Sequence, residues 1–114
     1  TFNLSKELCT AGWNTYAAMA LPGSQLYKDA RKNNIPLPDS YEGYSFHSYE
    51  TQPLPTEKLK PEEILEYRDK SFNNYHTHKP FLNKIEKKFG KKAIKNIKEM
   101  TKINLKRKIL GHSR

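Results

Sequence analysis

Apolar residues recur along the chain in two rhythms, and each rhythm predicts an element. Over residues 2–11, Phe2, Leu4, Leu8, Cys9 and Ala11 fall along one broad face, which predicts a short amphipathic helix with Gly12 as its stop. Residues 13–21 (WNTYAAMAL) follow as a short run dominated by apolar side chains and closed by Pro22-Gly23. A run of that length between a helix and a Pro-Gly break predicts a buried strand. Helix, short turn, apolar strand and loop is the αβ rhythm of a parallel α/β sheet or barrel. Ser24 is placed to cap a helix over about 25–33, with Leu26, Tyr27 and Ala30 as its apolar positions.

The pattern then changes. Residues 34–61 hold five prolines (Pro36, Pro38, Pro53, Pro55 and Pro61) and four aromatics (Tyr41, Tyr44, Phe46 and Tyr49), which predicts an extended segment laid over a neighbouring surface. Pro61 opens a helix at its favoured first position, with Glu62 and Glu63 in the first turn where the helix dipole favours them. Its face is Ile64, Leu65, Tyr67, Arg68, Phe72 and Tyr75, to about His76. Pro80 starts a further helix, with Phe81, Leu82, Ile85 and Phe89 inward and Gly90 as its stop. A last helix is expected over about 92–110, ended by Gly111, with Ile94, Ile97, Met100, Thr101, Leu105 and Ile109 on one side.

Composition narrows what such elements can form. With 114 residues, 35% of them hydrophobic, and a mean hydropathy of −0.94, the chain is poor in core material for one small domain. Part of its apolar surface is therefore expected to pack against something else. The sequence opens without Met inside a helical pattern, which leads to the expectation of a carboxyl-terminal piece of a larger enzyme. The single cysteine, Cys9, excludes an internal disulfide framework and any multi-cysteine metal or iron–sulfur site. No stretch approaches the ~18 apolar residues of a membrane span, and no signal peptide is present, so a cytoplasmic location is expected. Charge is uneven: residues 1–78 carry 8 Lys/Arg against 10 Asp/Glu, residues 79–114 carry 13 against 2. The net +9 is a property of the tail.

Four constellations are candidates for chemistry. In Asn14–Tyr27 the small residues Ala17, Ala18 and Ala20 would let a flat ligand approach the backbone, and the helix after Ser24 would offer free N–H groups; a packed strand and tight turn is the plainer reading. In Gly43–Thr51, His47, Tyr49 and Glu50 have the groups for acid–base work or metal binding. On an extended chain, however, His47, Tyr49 and Thr51 share one side and Phe46, Ser48 and Glu50 the other, so His47 and Glu50 would not converge on a metal. His76 and His78 are two residues apart, not the four that a helical zinc site needs; the expected role is that of cationic histidines favoured at a helix C-terminus, and no metal ligand is assigned. The tail lysines are spread over several helix sides without interleaved aromatics, which favours a solvated face; nucleic acid or an acidic protein is the alternative partner.

The run Asn14–Tyr27, with its Ala-Met-Ala-x-Pro-Gly-Ser-x-Leu-Tyr core, resembles the sixth barrel strand and following loop of radical SAM enzymes. Gly43–Thr56 (GYSFHSYETQPLPT) and the tail Phe89-Gly90, Ile97–Lys102 and Leu105–Gly111 resemble later blocks of the members that carry a cobalamin-binding domain. The resemblance spans residues 1–111 with three blocks in order. It implies a mostly α chain with a short β element: the last αβ unit of a partial (β/α) barrel over 1–33, an extended loop over 34–60 and a helical carboxyl-terminal extension over 61–114. It also implies a parent using S-adenosylmethionine, a [4Fe–4S] cluster and cobalamin, with the barrel and cobalamin-binding domain as partners. By the same resemblance Tyr16, Ala18, Met19, Ala20, Leu21 and Pro22 would lie nearest S-adenosylmethionine; no catalytic residue is assigned. The Cys-x3-Cys-x2-Cys run that holds the cluster is not in this sequence, so the chain alone would not generate a radical.

Overall fold

Local signals decide where the middle helices begin. In the computed structural model, which describes residues 1–114, the elements are α1 (Phe2–Leu8), α2 (Gln25–Lys32), a 3₁₀ turn (Tyr41–Tyr44), α3 (Pro61–His76), α4 (Lys79–Phe89), α5 (Lys91–Lys102) and a second 3₁₀ turn (Lys108–Leu110). Ser24 caps α2 as its chemistry predicts: its Oγ accepts from the Tyr27 N–H at 3.1 Å and donates to the Leu21 carbonyl at 2.6 Å. At the start of α3, the Glu63 carboxylate accepts from the Lys60 N–H at 2.8 Å, the returning half of a capping box. A single residue, Gly90, ends α4 and starts α5 with φ 89° and ψ 179°. That region is open only to glycine, and another residue there would cost roughly 1–3 kcal/mol. The cost would be in the backbone, because nothing lies within 4 Å of where a Cβ would sit.

The expected strand over 13–21 is not formed, and the molecule contains no strand, no sheet and no barrel. The αβ barrel unit expected over 1–33 is thereby corrected. A strand needs a ladder, and the backbone bond that reaches this segment from a distant part of the chain is Leu54 N–H to Ala18 O at 2.9 Å. Its residues support one only weakly: Trp13, Thr15 and Tyr16 favour strands, but Ala17, Ala18 and Ala20 do not. Apolar run length alone could not separate a strand from a buried irregular segment.

Two helix ends also differ from expectation. Helix α1 stops at Cys9 rather than Gly12, with Cys9 left-handed (φ 45°, ψ 48°) and its N–H bonded to the Ser5 carbonyl. That conformation costs a non-glycine residue about 1–2 kcal/mol. Burying the Cys9 side chain against Tyr75 and Phe81 offsets it. Helix α5 ends at Lys102, not near 110; Ile103 is extended (φ −78°, ψ 111°), and Ile103-Asn104 are weak helix formers. No helix is long and apolar enough to cross a membrane.

The chain divides into two compact units that interleave along the sequence: residues 1–15 with 69–104, and residues 16–68 with 105–114. In the first unit, Cys9, Tyr75 and Phe81 form the buried centre, with Phe2, Trp13, Leu82, Ile85 and Ile97 packed against it. The rings contact edge-on or tilted: Phe2–Trp13 at 5.2 Å, Tyr75–Phe81 at 5.1 Å and His76–Phe81 at 5.2 Å between centroids. Polar tethers close the cluster. The Tyr75 hydroxyl donates to the Ala11 carbonyl, and Lys84 Nζ donates to the Cys9 carbonyl at 2.7 Å. The Trp13 N–H donates to His76 Nε2 at 3.4 Å, so the ring proton is on Nδ1, which donates to the Phe72 carbonyl at 2.8 Å. Buried His76 thus bridges the backbone of Trp13 and Phe72.

Burial, with the Cys9 thiol adding to it, pushes the Tyr75 hydroxyl above the usual tyrosine range. The folded state thus holds this proton more tightly than the unfolded chain. Stability linked to it is fully present below the unfolded value of about 10 and is lost as pH rises through the folded value. Urea unfolding followed by Trp13 fluorescence is expected to weaken between pH 9 and 11 (roughly the tyrosine range) in the wild type. Tyr75→Phe should flatten that decline, and an unchanged profile in the variant would contradict the assignment.

Candidate functional site

Thirteen basic residues lie in the tail from residue 79, and all but Arg107 and Arg114 are lysines. Arg107 is also 0% exposed. Its Nη1 donates to the Phe46 carbonyl at 2.9 Å, the Ser48 carbonyl at 3.0 Å and Thr51 Oγ1 at 2.9 Å. Nη1 carries two hydrogens, so the three acceptors share them in a bifurcated arrangement, and the planar guanidinium fixes their directions where a lysine ammonium offers a point charge. Taking a cation out of water costs several kcal/mol, and charge-assisted bonds return about 1.5–3 kcal/mol each. The two nearly balance, so the net effect is chiefly to fix the loop rather than to add stability.

Arg107 organises the whole of residues 43–52. Thr51, 1% exposed, packs its hydroxyl against the Ser45 and Ser48 carbonyls. Ser48 Oγ donates to the Glu42 carbonyl, Gln52 N–H to the Gly43 carbonyl at 2.9 Å, and Lys108 N–H to the Tyr49 carbonyl at 2.9 Å. Tyr49 donates through its hydroxyl to the His112 carbonyl at 2.8 Å, and the Arg107 N–H donates to His112 Nδ1 at 3.1 Å. Gly43 is buried where a Cβ would collide with the Pro38 ring, so only glycine fits. Beside this loop lies a cleft of about 370 Å³ lined by Asp39, Ser40, Glu50, Gln52, Lys108 and Ile109 among others. Lys108 and Glu50 pair there at 3.3 Å, with the lysine 67% exposed.

The loop is a succession of turns rather than an extended chain, so the expected alternation of sides does not hold. His47 is exposed, while Thr51, expected on the same side, is buried. Tyr49 is half-buried, and Glu50 is held by Lys108.

Of the residues tied to S-adenosylmethionine by resemblance, Tyr16, Ala18, Leu21 and Pro22 lie at the surface, whereas Met19 and Ala20 are buried. The Ala18 carbonyl is taken by Leu54, and the Leu21 carbonyl by Ser24. Tyr16 is 53% exposed and rests its ring on Phe46 at 4.5 Å and edge-on to His47 at 6.2 Å. Surface rings and small side chains suit apolar contact with a flat ligand. An iron–sulfur cluster does not fit the donors present, since the one thiol is buried under Tyr75 and Phe81. In α5, Lys91, Lys95, Lys98 and Lys102 recur at helical spacing and form one exposed row, flanked by Glu99 and Lys92.

Searched against protein-family models, curated proteins and solved structures, the chain matches none.

Arg107 was not legible as more than one charge in a basic tail. The available signal was a lone arginine between two lysines, Lys106 and Lys108. Removing it would leave the acceptors of residues 46, 48 and 51 buried without their donor, a loss on the order of 3 kcal/mol. Amide hydrogen exchange of Arg107→Ala should therefore show Gln52, Leu54 and Lys108 losing protection. Arg107→Lys should recover only part of it, and full protection in either variant would refute the role.

Proposed function

We propose that this chain is the carboxyl-terminal part of a radical SAM enzyme of the group with a cobalamin-binding domain. It packs against the domain that holds the cluster and contributes surface to the S-adenosylmethionine pocket, without chemistry of its own. A cytoplasmic location accords with that role. One observation supports the reading: parts of the three blocks that resemble the family, residues 16–27, 43–56 and 105–111, lie in one compact unit. Leu54 of the second block bonds to Ala18 of the first, and Arg107 of the third holds Phe46, Ser48 and Thr51 of the second. When bound, the cluster supplies the electron that cleaves S-adenosylmethionine; the residues of this chain would bind and orient, and shield the site from water. The product of the complete natural gene, purified without oxygen, is expected to carry about four iron and four sulfide per chain. It should also release 5′-deoxyadenosine when reduced with S-adenosylmethionine. A gene encoding no cysteine triplet, with iron-free protein, would overturn the reading.

The lysine row of α5 supports a second reading, a basic module for nucleic acid or an acidic protein. Its unit, residues 1–15 with 69–104, carries 11 Lys/Arg against 4 Asp/Glu. Affinity for duplex DNA should then fall steeply with salt, with a log–log slope of about −0.9 per neutralised phosphate. Absence of binding at low salt removes nucleic acid as the partner.

A further inference from the structure

The two carbonyls bound by Arg107 Nη1 belong to Phe46 and Ser48, the residues on either side of His47. The backbone of His47 is thus held from both sides by a fully buried guanidinium, while its imidazole stands exposed. Loop tips with an exposed side chain ordinarily have mobile backbones; this one is fixed by charge-assisted bonds. The imidazole is also not isolated. Tyr16 lies edge-on to it and packs on Phe46, so three rings from two distant stretches of sequence are assembled at the surface. Rings of this kind stack with planar π-systems whatever their base identity, and an imidazole adds one donor and one acceptor at the rim.

We propose that Tyr16, Phe46 and His47 form the seat of a planar heteroaromatic ring, with the His47 imidazole as its hydrogen-bonding partner. Resting on the reading above, that ring is the adenine of S-adenosylmethionine. The structure thereby assigns His47 a ligand-positioning role and Arg107 the task of aiming it. A purine fits better than a sugar, because the cluster offers ring faces and one hydrogen-bonding imidazole at the rim.

The test is a titration of the isotope-labelled chain with adenosine, and separately with ribose, followed by the side-chain ring signals of Tyr16, Phe46 and His47. Adenosine should shift all three saturably and ribose none. His47→Ala should weaken adenosine binding about tenfold, the loss of one ring contact and one hydrogen bond. His47→Gln, which keeps a donor and an acceptor, should lose less. Unchanged protection of the Gln52 and Leu54 amides in both variants establishes that the loop is intact. Absence of a saturable shift, or equal affinity in His47→Ala, overturns the seat. If the complete gene product cleaves S-adenosylmethionine with no dependence on His47, the seat fails and the family reading stands. If an iron-free gene product binds adenosine through His47, the seat stands and the family reading fails.

Discussion

A single buried guanidinium sets the conformation of residues 43–52 and of everything that joins them. Arg107 places a positive charge where water does not reach and surrounds it with the carbonyls of Phe46 and Ser48 and the hydroxyl of Thr51. Such a group is costly to bury unless its geometry is good, so its acceptors tolerate little displacement. The turn at Thr51, the return bond from Gln52 to Gly43 and the pairing of Lys108 with Tyr49 follow from that requirement. The loop is proline- and aromatic-rich, with few apolar residues to pack, and polar closure does the work that a hydrophobic core does elsewhere.

The other unit solves the same shortage of apolar material differently. Its centre is a small aromatic stack around Tyr75 and Phe81, closed by side-chain bonds to backbone at Ala11, Cys9 and Trp13. Two exceptional backbone positions, Gly90 and Cys9, shape its chain turns. Apart from Lys84, whose ammonium closes the centre at the Cys9 carbonyl, the lysines of α4 and α5 lie at the surface, so the strongly basic character is chiefly a surface property.

Elements with a local chemical start were legible in the sequence, and elements that depend on distant partners were not. Ser24, Pro61 and Pro80 announced α2, α3 and α4 because caps and proline act within one helical turn. The stretch Trp13–Leu21 was misread as a strand because run length records apolarity and not pairing. The apolar period runs on past Lys102 to Ile109, but it does not register that Ile103-Asn104 are weak helix formers, so α5 ends earlier than the period suggests. For the candidate site, the blocks themselves were visible. The bond from Leu54 to Ala18, the hold of Arg107 on residues 46–51, and the difference between exposed Tyr16 and buried Met19 are three-dimensional facts that no periodicity encodes.

The central claim is that Arg107 is held rigidly by the carbonyls flanking His47. Nitrogen-15 spectra of the arginine side chains test it most directly. The account predicts separate, slowly exchanging Nη–H signals for Arg107 with through-bond couplings to the Phe46 and Ser48 carbonyl carbons. It would be contradicted by a single averaged signal, rotating and exchanging as fast as that of the exposed Arg114.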